Sequence, residues 1–279
     1  TGNDPKPDKS LTNAQYAAQR EQLIACVDRL PTIPKLLGEH GYLSMQSGKW
    51  WEGNYSRGGF THGMTRGFPN PGGRHGDDGL QIGRKGMQPV FDFITESKLA
   101  NKPFFLWYAP FLPHTPHDPP DRLLTKYRSD GRPIELAKYY AMCELFDETC
   151  GQLLDHLDEQ KLNDNTLVIY VTDNGWIQAT PEMNLGKEWG HGFAPRSKQT
   201  PYEGGIRTPI MVSWPGRIAP KEYPDLCSTL DIMPTVLAAT GLQPITALPG
   251  RNLLPLVEET KPLDRTYLCG ESYSHDIAD

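Results

Sequence analysis

The sequence predicts an α/β fold, a doubly wound sheet with helices on both faces, and three observations carry that prediction. Short apolar runs, several rich in β-branched and aromatic residues, recur at 42–47, 102–109, 167–171 and 210–214. Between them lie stretches whose apolar residues repeat at threes and fours, so helix and strand alternate. The third observation is how one run ends. Leu167-Val168-Ile169-Tyr170-Val171 reads as a strand buried on both faces, as in a parallel sheet, and stops at Thr172-Asp173-Asn174-Gly175. Open α/β sheets bind ligands at the carboxyl ends of their strands. A carboxylate beside an amide oxygen there suits a hard cation such as calcium or magnesium. Taken alone, Asp-Asn-Gly is more simply a turn.

Taken in order, residues 1–20 are polar and Pro-rich and are expected to form an exposed loop leading to a helix. Residues 32–40 read as a short helix with Thr32 as N-cap, Pro34 in its first turn and Gly41 past its end. A strand at 42–47 runs into Gly48-Lys49-Trp50-Trp51, where a lysine between a glycine and two tryptophans could hold an anion. Residues 54–86 read as a long loop, a length that is uncommon without a function. Within it His75, Asp77 and Asp78 could form a metal cluster, although a Gly-rich turn with surface charges is the simpler account. Asn54-Tyr55-Ser56 fits a glycosylation acceptor, a frequent pattern. A helix at 85–98 buries Met87, Val90, Phe91 and Ile94. The apolar strand at 102–109 then delivers the chain to Pro113-His114-Thr115-Pro116, placing a histidine at a strand end, where proton transfer is feasible. The longest helix, 135–160, presents Leu136, Tyr139, Tyr140, Cys143, Phe146, Cys150, Leu153, Leu154 and Leu157 as one core face. After the turn 163–165 and the strand come a second long loop, 176–200, and a strand at 210–214 that tethers Lys198 near the sheet. Asp231 is expected to cap a helix running to Thr240 and ended by Gly241. Residues 242–279 read as a surface return with a last strand at 266–269.

Composition narrows the function. Lysine plus arginine number 28 against 34 aspartate plus glutamate, a net charge of −6, which argues against a nucleic-acid partner. With 27 glycines, 26 prolines and 10% aromatics, the chain reads as ordered loops between short elements. The five cysteines have no metal-type spacing. Cys143 and Cys150 share a helix face too far apart to bridge, which leaves the redox compartment open. No apolar run approaches the length of a membrane span, and the oligomeric state is not legible.

Lys49, His114, Asp173 with Asn174, and Lys198 each lie at or near a strand end. Cations and a proton donor around one metal suit a tetraoxyanion ester whose leaving oxygen gains charge as it breaks. The motifs that carry these residues resemble those of the type I sulfatases of the alkaline-phosphatase-like superfamily. Thr32-Ile33-Pro34-Lys35-Leu36-Leu37 through Gly48-Lys49-Trp50 resembles the segment leading to Gly-Lys-Trp-His. Pro113-His114-Thr115-Pro116 matches Pro-His-Thr-Pro, and Asn165 through Asp173-Asn174-Gly175 matches the strand ending in Asp-Asn-Gly. Lys198-Gln199-Thr200-Pro201-Tyr202-Glu203-Gly204-Gly205-Ile206-Arg207 matches Lys-x-Thr-x-Tyr-Glu-Gly-Gly-x-Arg, with Trp214-Pro215-Gly216 beyond it. The resemblance implies a mainly parallel mixed sheet with helices on both faces and hydrolysis of sulfate esters. It implies Asp173 and Asn174 as Ca2+ ligands, Lys49 and Lys198 on the sulfate, and His114 beside the ester oxygen. A sulfated small molecule or glycan would be the substrate and a periplasmic or secreted location would be expected.

Two departures accompany the resemblance. Trp51 stands where the family has histidine after Gly-Lys-Trp, leaving His62 and His75 as candidate substitutes. The family's nucleophile is a formylglycine made from the first residue of Cys/Ser-x-Pro-x-Arg, and neither that motif nor the accompanying Asp-Asp pair is identified here. Residues 1–279 are therefore expected to be one sulfatase-type domain, incomplete at both ends and inactive by itself. Two alternatives stay open: a phosphatase or phosphodiesterase of the same superfamily, and a non-catalytic protein binding sulfated glycans through Lys49, Arg74 and Lys198.

Overall fold

The computed structural model describes residues 12–70, 76–243 and 247–270. They form two compact units, residues 12–70 and 76–114 with 146–156, and residues 115–145 with 157–243 and 247–270.

The first unit is built on a parallel sheet of β1 (Leu43–Gly48), β2 (His62–Gly63) and β3 (Phe104–Ala109), in the order β2-β1-β3. Strand β1 pairs with β3 from Leu43↔Phe104 to Gly48↔Ala109. Being central, β1 buries Ser44, Met45, Gln46 and Ser47. Its buried amide is satisfied: Gln46 Nε2 donates to Gly48 O at 2.9 Å, and Oε1 accepts from Met64 N and Thr65 N. Strand β3 has β1 as its only neighbour among the described residues, and Trp107 is 42% exposed, so the apolar run here does not mark a fully buried strand.

Residues 13–20, expected as loop, belong to helix α1 (Asn13–Ile24). A capping box starts it, with Thr12 Oγ1 accepting from Gln15 N while Gln15 Oε1 accepts from Thr12 N. Residues 1–11 lie outside the described set. Helix α2 (Ile33–Gly38) follows as expected, but Thr32 does not cap it; its hydroxyl donates to Gly58 O instead. The 54–86 segment is less irregular than expected, containing β2 and 3-10 turns at Tyr55–Gly58 and Asp77–Gln81. A two-residue strand has no periodicity for a sequence to display. Helix α3 (Gln88–Leu99) buries Val90, Phe93 and Ile94, with Met87 just before it also buried. Phe91, expected on that face, is half-buried and stacks on His156 at 4.5 Å.

In the second unit β4 (Val168–Val171) pairs antiparallel with β5 (Ile210–Ser213), and neither is fully buried. The parallel, doubly buried environment expected for 167–171 is thus corrected. An apolar run reports burial tendency and carries no information about a neighbour's direction. With a parallel set of three and an antiparallel pair, the mixed, mainly parallel α/β class stands. Helices α4 (Asp121–Tyr127) and α5 (Ile134–Glu159) precede β4. The deepest residues of α5 are Ala137, Ala141, Met142, Thr149 and Leu157, while Tyr140 and Leu154 are exposed. The core face is rotated from the expected one because small alanines sit deepest and larger side chains flank them. Cys143 and Cys150 are half-buried free thiols, and burial pushes the Cys150 thiol up to about 11.

After the one-turn helix α6 (Glu203–Ile206), β5 leads to helix α7 (Ile232–Ala239), ended at Gly241 with φ +74°. Asp231 does not cap it through its side chain. The carboxylate is fully buried and accepts from Ser228 N, Arg251 N and both terminal nitrogens of Arg265 at 2.6–2.7 Å. Residues beyond 242 are no simple surface return, since helix α8 (Leu254–Glu259) brings buried Leu253, Leu254 and Leu256. The expected strand at 266–269 is absent, and Tyr267 is 73% exposed.

Candidate active site

Within the first unit the sheet's carboxyl edge brings Lys49 and His114 together through one ring. Gly48 ends β1 with φ +88°, and a Cβ there would fall 1.8 Å from Ala109 O. Only glycine permits that approach, which sets Lys49 N donating to Ala109 O at 2.7 Å. Gly76 and Gly79 press on the same point, each with a virtual Cβ under 3 Å from Gly48 backbone. The Gly-rich loop is therefore a steric seat for the strand end. Lys49 Nζ lies over the Phe111 ring at 5.3 Å, and Phe111 stacks on His114 at 4.5 Å and 23°. The His114 carbonyl accepts from Arg84 Nη2 at 3.0 Å. Phe111 escaped sequence reasoning, because an aromatic next to Leu-Pro carries no signal until the fold stacks it.

In the second unit Asp173-Asn174-Gly175 follows β4 after Thr172. Gly175 N donates to Gly205 O at 2.8 Å, and a Cβ on Gly175 would sit 2.1 Å from Gly204 O. The Asp-Asn-Gly and Glu-Gly-Gly motifs are therefore two halves of one close backbone contact. Gly205 in turn would bring a Cβ within 2.4 Å of both Thr200 O and Ser197 O. Buried Ser197 accepts from Ile177 N at 2.6 Å, so the loop bearing Lys198 is fastened beside the end of β4. Lys198 Nζ rests over the Trp176 ring at 5.8 Å. The structure thus sets Lys198 over Trp176, two residues past Asn174 in the chain, a ring that sequence reasoning placed only in a loop. Gly175→Ala is expected to cost roughly 1–3 kcal/mol by overpacking. Urea denaturation checks this, and unchanged stability would show that the contact yields freely.

The donor set at Asp173 and Asn174 matches a hard cation in kind but not in number. Asn174 Nδ2 donates to Gly175 O at 2.9 Å, and Asp173 Oδ1 accepts from Asn174 N. Calcium takes six to eight oxygens. Among the described residues no group of three or more His, Cys, Asp or Glu gathers to complete such a shell. His75 lies outside the described residues. Of its expected companions, Asp77 is occupied in accepting from Gly67 N at 2.7 Å. His62 sits opposite Met45 in the sheet, against Phe93, with Nε2 3.4 Å from Glu96. Trp51, at the position of the family's histidine, is half-buried.

One correction concerns the nucleophile motif. Ser213-Trp214-Pro215-Gly216-Arg217 matches Ser-x-Pro-x-Arg letter for letter. Ser213 pairs with Val168 at the start of β4, whereas Asp173 lies past its end, so the match falls at the wrong edge of the sheet. Arg217 stacks on Trp214 at 3.8 Å and pairs with Glu258 at 2.6 Å, a structural role.

Comparison with known proteins bears on this arrangement. A family model described as Sulfatase matches residues 1–242. N-acetylgalactosamine-6-sulfatase of Canis lupus familiaris is 28% identical, the alignment covering 91% of this chain and 53% of the relative. Arylsulfatase A of Homo sapiens is 34% identical over 61% of this chain and 32% of its own length. The chain spans about a third to a half of the curated relatives it matches. Two solved structures share the fold. Ps i-CgsB in complex with k-i-k-neocarrahexaose has TM-score 0.63 at 23% identity, covering 80% of this chain and 56% of that one. PsFucS1 sulfatase from Pseudoalteromonas sp. has TM-score 0.61 at 21% identity, covering 81% and 54%.

Proposed function

Since the chain belongs to the sulfatase family, we propose that the protein containing it hydrolyses sulfate esters, with residues 1–279 acting as one sulfatase-type α/β domain. The observation that carries this proposal is the fastening of Lys198 beside Asp173-Asn174-Gly175 through the Gly175–Gly205 contact and Ser197. It supports the reading because one backbone frame carries a cation together with a carboxylate and an amide, the group types a sulfate–metal centre requires. Lys198 and Lys49 neutralise sulfate oxygens. His114, oriented by Phe111, lies beside the ester oxygen and gives a proton to the departing alcohol. Asp173 and Asn174 supply two ligands of a Ca2+ site, and the ion would contribute charge stabilisation of the sulfate when bound. The formylglycine nucleophile of the family is part of the proposal for the intact protein, and no residue of this chain is assigned to it.

A sulfated small molecule or glycan is the proposed substrate and a periplasmic or secreted location the proposed setting. No helix among the described residues is long and apolar enough to cross a membrane. The test uses the intact protein with an aryl sulfate and the matching aryl phosphate. Sulfate release that exceeds phosphate release, is lost to a chelator and returns with calcium is the expected result. Faster phosphate release would favour a phosphatase of the same superfamily. Binding of sulfated polysaccharide without turnover would favour a non-catalytic role.

A further inference from the structure

We propose that Arg84 is a positioning residue for the reaction, holding the main chain of His114 so that its ring stands where a proton can reach the leaving oxygen. This rests on the sulfatase reading above and adds to it a residue that acts through His114. Arg84 Nη2 donates to the His114 carbonyl at 3.0 Å, a charge-assisted bond, stronger than one between neutral groups. The chain on either side of His114 has little means of fixing itself. Pro110, Pro113 and Pro116 carry no N–H, so a ladder of main-chain bonds cannot run through this stretch. Phe111 stacks on the ring at 4.5 Å and 23°. Stacking sets the plane of a ring but resists sliding within that plane only weakly. The place of the ring then depends on the main chain that carries it.

Arg84 is itself delivered by a rigid turn. Gly83-Arg84-Lys85-Gly86 is closed by Gly83 N donating to Gly86 O at 3.1 Å, with φ +80° at Gly83 and +101° at Gly86. Ile82 before it and Met87 after it are both buried. A Cβ on Gly83 would lie 3.0 Å from Leu112 Cδ1 and 3.1 Å from Tyr108 Oη, so the turn is pressed against the end of β3. The surface beneath is tied down in turn, Tyr108 Oη donating to Thr149 Oγ1 and Thr149 Oγ1 to Phe146 O, both at 2.7 Å. Arg84 is half-buried, whereas its neighbour Lys85 is exposed. Lys49 is held separately, its carbonyl accepting from Trp107 Nε1 at 3.2 Å. The proposed sulfate contact and the proposed proton donor therefore have different main-chain clamps. As the S–O bond breaks, its electron pair moves onto the leaving oxygen, which takes the His114 proton and departs as the alcohol, while the sulfuryl group passes to the nucleophile. A displaced His114 matters most where that oxygen is basic and needs the proton.

The test compares the intact protein with its Arg84→Ala, Arg84→Met, Arg84→Lys and Lys85→Ala variants on phenyl sulfate and 4-nitrophenyl sulfate. Phenolate is the poorer leaving group of the two. Proton–nitrogen correlation spectra of histidine-labelled protein are read beside turnover, the His114 signal being assigned by its loss in His114→Gln. The expected result is a kcat for phenyl sulfate lowered about 30-fold in Arg84→Ala and less than about threefold for 4-nitrophenyl sulfate, with KM within about twofold for both. Arg84→Lys, which keeps a donor, recovers most of the loss, and Lys85→Ala leaves both substrates unchanged. The His114 signal shifts or broadens when the Arg84 donor is removed. Arg84→Met keeps the length of the side chain without its donor, and reads the same effects should Arg84→Ala fail to fold. Equal losses on both substrates, a loss confined to KM, an equal effect of Lys85→Ala, or an unmoved His114 signal would overturn the positioning role. A parent that turns over neither ester, with the His114 signal still moved by loss of Arg84, would refute the sulfatase reading and leave the hold of Arg84 on His114 standing.

Discussion

Lys198→Ala in the intact protein is expected to lower kcat/KM for an aryl sulfate by roughly 10²–10³-fold, the scale of removing one preorganised charge stabiliser. Lys198 is a half-buried residue with its ammonium over Trp176, and its loop is fastened by Ser197 to Ile177, so it is held in place before substrate arrives. A group that needs no reorganisation acts most strongly on charge that develops during bond breaking. The loss should therefore fall mainly on kcat, with KM changing less. Stability should move little, because the fastening runs through Ser197, Gly205 and Gly175. Lys187→Ala, an exposed lysine of the same loop, serves as control and should stay within about twofold. Equal losses from both lysines would point to a general field effect and refute the role of Lys198.

Arg265→Ala is expected to destabilise the second unit by about 3–5 kcal/mol, because it strands a buried carboxylate. Asp231 is fully buried and the Arg265 side chain is 11% exposed, so solvent cannot replace the lost partner. Burial alone would raise the Asp231 pKa. The Arg265 pairing and the Arg251 and Ser228 N–H groups outweigh burial and hold it below the usual carboxylate value. With the folded pKa depressed, the stabilisation is present above the unfolded value of about 3.9 and lost as pH falls through the folded one. Urea denaturation of parent and variant should therefore differ most at neutral pH and converge in acid. A difference under about 1 kcal/mol at pH 7 would mean that the pair is effectively solvated.

The sequence was most legible where one element depends on its own residues. Apolar runs located β1, β3, β4 and β5 to within a few residues, threefold-fourfold spacing located α3 and α5, and start and stop residues located α7. What escaped depends on partners. The β4–β5 direction, the rotation of α5 onto Ala137 and Ala141, and the packing of α8 are decided by what lies opposite. Thr32 and Asp231 show the same limit, since both stand at helix starts yet bond elsewhere, to Gly58 and to Arg265. At the candidate site the charged residues were visible by type, while Phe111 and Trp176, the rings that support Lys49, His114 and Lys198, were not.

The loop between Trp176 and Lys198 is closed at its base by a ladder of bonds. Ile177 N meets Ser197 Oγ, Ala194 N meets Ile177 O, and Ala179 N meets Gly192 O, while Trp189 Nε1 donates to Phe193 O. A loop whose ends are already pinned meets only the logarithmic chain entropy of its tip when it lengthens. Doubling the tip would cost only about 0.6 kcal/mol. Insertions around 184–190 should then be absorbed without displacing Lys198. The tip can be rebuilt independently of the base, so its surface can change while Lys198 keeps its place over Trp176.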